Sequence, residues 1–117
     1  MHILLAEDDK NFGIVLKNEL EDEIYSVNLV NDGVEAVLSF IHNSYDFVVI
    51  DIEMPKLDGI NALRIIRKLS PGVPTIAYSG NAVYSEMEEL IKAGAIKYFT
   101  KPFEIAELKE CIERYFG

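Results

Sequence analysis

Ile3 to Ala6, Phe47 to Ile50 and Thr75 to Tyr78 are short runs dominated by apolar residues and bounded by polar ones. Runs of this kind predict strands buried on both faces of a sheet. Between them the period changes. Phe12, Val15, Leu16 and Leu20 recur at helical spacing opposite Lys17, Asn18 and Glu21, which predicts a helix of about three turns with those four apolar side chains toward the core. Tyr25, Val27 and Leu29 then alternate with Ser26 and Asn28 in a less apolar strand that belongs nearer a sheet edge.

Asn31-Asp32-Gly33 turns the chain, Val34 to Ile41 repeats the amphipathic pattern, and the third strand ends on Asp51. The stretch IEMPKLDG is a loop by its Pro55 and Gly59, with Gly59 permitting the turn and Lys56 and Asp58 decorating it. Ile60, Leu63, Ile65 and Ile66 mark the next helix, which closes near Ser70-Pro71-Gly72. After the fourth strand, a helix from about Val83 to Ala93 stops at Gly94 and a fifth strand from Ile96 to Thr100 halts at Lys101-Pro102. Glu104 to Tyr115 closes the chain as an amphipathic helix.

Strand and helix alternate throughout, so the expected fold class is α/β: a doubly wound parallel sheet of five strands with helices on both faces and right-handed crossovers. In such sheets ligands sit beyond the carboxyl ends of the strands, near the point where strand order reverses. Those ends carry Glu7-Asp8-Asp9, Asp51, Ser79 and Lys101.

Composition narrows the chemistry. At 117 residues, with 50% apolar and 26% charged side chains, residues 1–117 are expected to form one domain around a single core. A net charge of −9 opposes a polyanionic partner, which argues against direct nucleic-acid binding. The lone Cys111 excludes an internal disulfide and a multi-thiolate metal site, and reads as a small packed apolar residue. No apolar run approaches the ~18 residues of a membrane span, so a cytoplasmic location is expected.

Clustered carboxylates at the ends of apolar strands repel one another and lose solvation unless a cation neutralises them. Mg²⁺ fits an all-oxygen set better than Zn²⁺ does, and His2 and His42 lie at the chain start and a helix end, away from the cluster. With a metal present, an aspartate can attack a phosphoryl group while cations and hydroxyls stabilise the transferring oxygens. Asp51 is then the nucleophile, Lys101 the cationic partner and Ser79 a hydroxyl donor.

These residues, in this order, carry a resemblance. LLAEDD after the first strand, DIEMPKLDG after the third, YSG after the fourth and GAIKYFTKPF across the fifth resemble the receiver domain of two-component response regulators over essentially the whole chain. The resemblance implies a flavodoxin-like (βα)5 fold with strand order 2-1-3-4-5, Asp51 as phosphoacceptor, Lys101 on the phosphoryl group and Ser79 in the place of the switching hydroxyl. It implies Tyr98 as the aromatic switch residue and a cis Lys101-Pro102 bond that aims the lysine into the crevice. Of the three acids after the first strand, the family register selects Glu7 and Asp8. Asp8 and Asp51 would hold Mg²⁺ directly, Glu7 through water, and the backbone carbonyl of Glu53 would complete the protein's share. Asp9 is left to cap the following helix. Glu53 and Asn81 occupy the two variable positions flanking the site and are expected to tune the lifetime of the phosphoryl group.

The implied partners are a histidine kinase or histidine phosphotransfer protein as donor, and a downstream protein target met through helix 4, strand 5 and helix 5, near Tyr98, Met87 and Ile91. The chain is expected to work as a signalling phosphoacceptor that catalyses its own phosphorylation and dephosphorylation, as a monomer or weak dimer, and not as a turnover enzyme. The last helix lacks an Arg-rich ending, a modest argument for a stand-alone domain. Two rivals are weaker. An acyl-phosphate hydrolase would use Glu53 as the acid two residues after its nucleophile, but the DIEMPKLDG context and the lack of a substrate cap oppose it. A flavin binder needs a Ser/Thr/Gly-rich phosphate loop where this chain places anions.

Overall fold

The computed structural model describes residues 1–80 and 84–116, with side chains described for all of these but 84–86. Its elements run β1 (His2–Ala6), α1 (Lys10–Leu20), β2 (Ser26–Val30), α2 (Gly33–His42), β3 (Phe47–Asp51), α3 (Gly59–Leu69), β4 (Thr75–Ser79), α4 (Tyr84–Lys92), β5 (Lys97–Thr100) and α5 (Ile105–Phe116). All strand pairs are parallel, in the order β2-β1-β3-β4-β5. The apolar runs account for this order: β1, β3 and β4 occupy the centre, and every residue of β3 and β4 is buried.

Alternation along each strand divides the core between two faces. Ile3, Leu5, Phe47, Val49, Ile76 and Tyr78 pack with Leu16, Leu20, Leu108 and Ile112 under α1 and α5. Leu4, Ala6, Val48, Ile50 and Ala77 pack with Ala36, Leu63, Ile66 and Leu90 under α2, α3 and α4. The strand order reverses between β1 and β3, so the carboxyl ends of those two strands lie side by side, with Ala6 paired to Ile50.

Helix ends follow local chemistry. Asp9 caps α1, its carboxylate accepting from the N–H groups of Asn11 and Phe12 at 3.0 and 3.2 Å. Gly94 follows α4 with φ of +97°, the left-handed conformation that suits glycine after a helix. The loop before α3 departs from its expected decorative role. Asp58 is the N-cap of α3, accepting from Asn61 N–H at 2.9 Å, and Lys56 reaches Asp32 at 3.3 Å. Gly59 is required less for a turn than for a close approach: a Cβ there would lie 2.3 Å from the Asp51 carbonyl oxygen and 2.5 Å from Ile52 Cα.

Two helix faces also differ from expectation. Val15 is half exposed, because α1 turns Gly13, Leu16 and Leu20 inward and lays Gly13 against the Leu29 methyls. Ile65 likewise points outward, and Ala62 takes the buried position beside Leu63 and Ile66. In both cases a small residue permits closer helix packing than a branched one, which spacing alone does not reveal. Among the described residues, no helix is long and apolar enough to cross a membrane.

Candidate functional site

Glu7 is completely buried immediately beyond β1, where its backbone N–H donates to Val30 and prolongs the ladder to β2. Its Oε1 accepts the Tyr78 hydroxyl at 2.7 Å and the Lys101 ammonium at 3.2 Å, and its Oε2 accepts the Asp9 N–H at 3.0 Å. Burial works to raise its carboxyl, but these donors more than offset it and hold Glu7 below the usual carboxylate range. Asp8, next along the chain, faces solvent; partial burial and then the Glu7 carboxylate beside it raise its carboxyl.

Asp51 ends β3 with 2% of its surface exposed. Its Oδ1 accepts the Glu53 N–H at 2.9 Å and its Oδ2 lies 3.3 Å from Lys101 Nζ. Burial dominates here: it pushes the carboxyl up to about 7, with Glu7 adding to the rise and Lys101 and the Glu53 N–H opposing it. Single oxygens of Glu7, Asp8 and Asp51 all lie within 4.8 Å of one another. An all-oxygen set of three carboxylates with one ammonium between two of them is short of positive charge, and it suits a hard divalent cation.

Lys101 follows β5, and its N–H donates to the Ser79 carbonyl at 2.8 Å, fastening it to the end of β4. The Lys101-Pro102 peptide is cis. The ammonium sits almost evenly between Glu7 and Asp51 and lies 4.8 and 5.2 Å from the ring centres of Phe12 and Tyr78. Burial pulls its proton affinity down, but the two carboxylates outweigh that and raise it, keeping it charged. Ser79, fully buried at the end of β4, donates its hydroxyl to Glu53 Oε1.

The response regulator receiver domain family matches residues 3–113. The chain belongs to that family. Among curated relatives, the receiver is 37% identical over 113 residues to the transcriptional regulatory protein RprY of Bacteroides fragilis, covering 97% of this chain and 48% of that protein. The chain thus spans about half the length of that relative. Among solved structures, it superposes on the receiver domain of the Francisella response regulator 1452 with a TM-score of 0.90 and 36% identity, covering 98% of this chain and 95% of that one. It also superposes on the receiver domain of the sensor histidine kinase PA1611 from Pseudomonas aeruginosa, a structure with a magnesium ion coordinated in its active-site cleft. There the TM-score is 0.84 and the identity 36%, over 99% of this chain and 97% of that one.

Of the residues singled out from sequence, the receiver brings Glu7, Asp8, Asp51, Glu53, Ser79 and Lys101 to one end of the sheet. Asp9 stands beside them as a helix cap. Tyr98, on β5, is half-buried against the cluster under α3 and α4. Met87 and Ile91 lie on α4, Ile91 strongly exposed. Asn81 lies outside the described residues. Sequence reasoning missed Tyr78, whose hydroxyl enters the site from β4. The signal was available: a phenol in a strand buried on both faces needs a hydrogen-bond partner.

Proposed function

We propose that the receiver takes a phosphoryl group onto the Asp51 carboxylate from the phosphohistidine of a histidine kinase or phosphotransfer protein. An Asp51 oxygen attacks phosphorus, the P–O bond forms as the P–N bond breaks, and the electron pair leaves on the imidazole, which keeps or regains a proton. The observation that carries this reading is the convergence of Asp51, Asp8 and Glu7 with Lys101 at the carboxyl end of the sheet.

Each side chain has a part. The Glu53 N–H holds one Asp51 oxygen, leaving the other toward Lys101. Lys101, kept charged by its two carboxylates, turns from them to the incoming phosphoryl oxygens. Ser79 exchanges Glu53 for a phosphoryl oxygen. Asp8 and Asp51, with Glu7 through water and the Glu53 carbonyl, are the residues that would hold Mg²⁺; when bound, it supplies positive charge to the carboxylates and the transferring oxygens. Glu53 and Asn81, two residues after Asp51 and Ser79 in the sequence, set how long the phosphoryl group lasts. The change at Ser79 passes to Tyr98 and biases the surface of α4, β5 and α5, with Ile91 on its rim, toward a downstream protein.

The test is incubation with Mg²⁺ and acetyl phosphate, with detection of a phosphoryl adduct by mass. An adduct that forms with the unaltered chain and is lost in Asp51→Asn is expected. No adduct, or one that survives the substitution, overturns the reading.

A further inference from the structure

Tyr78 is the largest of the fully buried side chains described, and its ring is fixed between Phe12 and Phe103, whose centres lie 6.1 and 5.2 Å away. Its hydroxyl is therefore aimed, and it donates to Glu7 Oε1 at 2.7 Å. A carboxylate offers about four lone-pair positions. Glu7 fills three: Tyr78 and Lys101 on Oε1, and the Asp9 N–H on Oε2. Lys101 is the donor with a second claim on it, from Asp51 at 3.3 Å.

The difficulty is what happens to Glu7 when Lys101 turns away. A buried carboxylate that loses a donor without replacement is strongly disfavoured, so it holds back any cation it has. We propose that Tyr78 is a positioning residue whose hydroxyl satisfies Glu7 independently of Lys101, and so sets how the ammonium and a divalent cation divide between Glu7 and Asp51. With the hydroxyl in place, Glu7 Oε1 keeps a donor after Lys101 leaves, and part of its charge is offset without a metal. Without it, Glu7 attracts both cations more strongly: Lys101 is drawn off Asp51, and Mg²⁺ is drawn inward. The effect runs through Glu7 alone.

Tyr78→Phe preserves the ring and removes only the hydroxyl. This inference rests on the reading of Glu7, Asp8 and Asp51 as the Mg²⁺ site, and calorimetric titration of the whole chain with Mg²⁺ separates the two. Tyr78→Phe is expected to lower the Mg²⁺ Kd by about threefold to tenfold, the scale of one net hydrogen bond withdrawn from the Glu7 carboxylate. At saturating Mg²⁺ it is expected to slow phosphoryl uptake from acetyl phosphate. In the Glu7→Gln background the same substitution is expected to change neither quantity. Loss of packing alone lowers the thermal midpoint without tightening Mg²⁺. A Kd unchanged or raised in Tyr78→Phe, an unchanged uptake rate, or an equal effect in the Glu7→Gln background overturns the role of Tyr78. Failure of the unaltered chain to bind Mg²⁺ at all overturns the site reading beneath it.

Discussion

Replacing Asp51 by Asn is expected to stabilise the metal-free protein, although it removes an ion-pair partner of Lys101. The Asp51 carboxyl is pushed from 3.8 to about 7, first by burial and then by Glu7, so the folded chain disfavours the charge it carries above neutral pH. At about 1.4 kcal/mol per pH unit the rise corresponds to roughly 4 kcal/mol. Lys101 is about a third exposed, so water screens the site, and halving for that leaves about 2 kcal/mol. Asn keeps an oxygen for the Glu53 N–H and carries no charge. With an unfolding entropy of about 2.1 cal/mol/K per residue, 2 kcal/mol in a chain of 117 residues is a rise of roughly 8 °C in Tm.

The pH dependence has a definite sign. A raised carboxyl keeps its proton in the folded state where the unfolded chain has lost it, so this contribution to stability is fully present below about pH 4 and falls as pH climbs through about 7. The gap between Asp51→Asn and the unaltered chain is therefore small near pH 4 and widest at pH 8. Calorimetric melts in EDTA across that range measure it, and saturating Mg²⁺ is expected to raise the unaltered chain more than the variant. Equal midpoints in EDTA at pH 8, or a gap that does not close toward pH 4, would refute the reasoning.

Two further substitutions probe the scaffold and the lifetime of the modified state. Gly59→Ala places a Cβ against the Asp51 carbonyl and the Ile52 backbone, neither of which can yield cheaply, and is expected to remove about 1–3 kcal/mol, read as a lower urea midpoint at unchanged slope. Glu53→Ala releases the Ser79 hydroxyl from its carboxylate partner and is expected to change the decay rate of the phosphorylated protein severalfold; a decay indistinguishable from the unaltered chain removes Glu53 as a tuning residue.

The fold was legible because its signal is local. Phe47 to Ile50 announce a central strand by having no polar face, and Ser26 and Asn28 announce an edge, as β2 is. The same locality explains what was not legible. Whether Val15 or Gly13 faces the sheet depends on how near Leu29 comes, and Leu29 is on another element. At the site, the acids, Ser79 and Lys101 could be assembled from their places at strand ends. The sharing of Lys101 between Glu7 and Asp51 could not, because it depends on side chains from three strand ends meeting within a few tenths of an ångström. Asp58 and Lys56 hid because the cap shows only once the helix is seen to begin at Gly59, directly after Asp58, and because the Lys56 partner Asp32 lies in a different loop.

The missing clearance at Gly59 also gives the site a direction. On the α3 side, Gly59 lies against the Asp51 carbonyl and its N–H donates to the Ile52 carbonyl at 3.1 Å, so the start of the helix is packed backbone to backbone against the strand end with no room to close further. On the opposite side, the Asp51 carboxylate reaches the end of β5 through the Lys101 side chain and the Glu53 carboxylate reaches the end of β4 through the Ser79 hydroxyl, both able to change partners by rotation. A rearrangement at Asp51 thus meets a wall on one flank and a hinge on the other. If Asp51 takes the phosphoryl group as proposed, motion travels toward β4 and β5, with α3 as the anvil against which it is made.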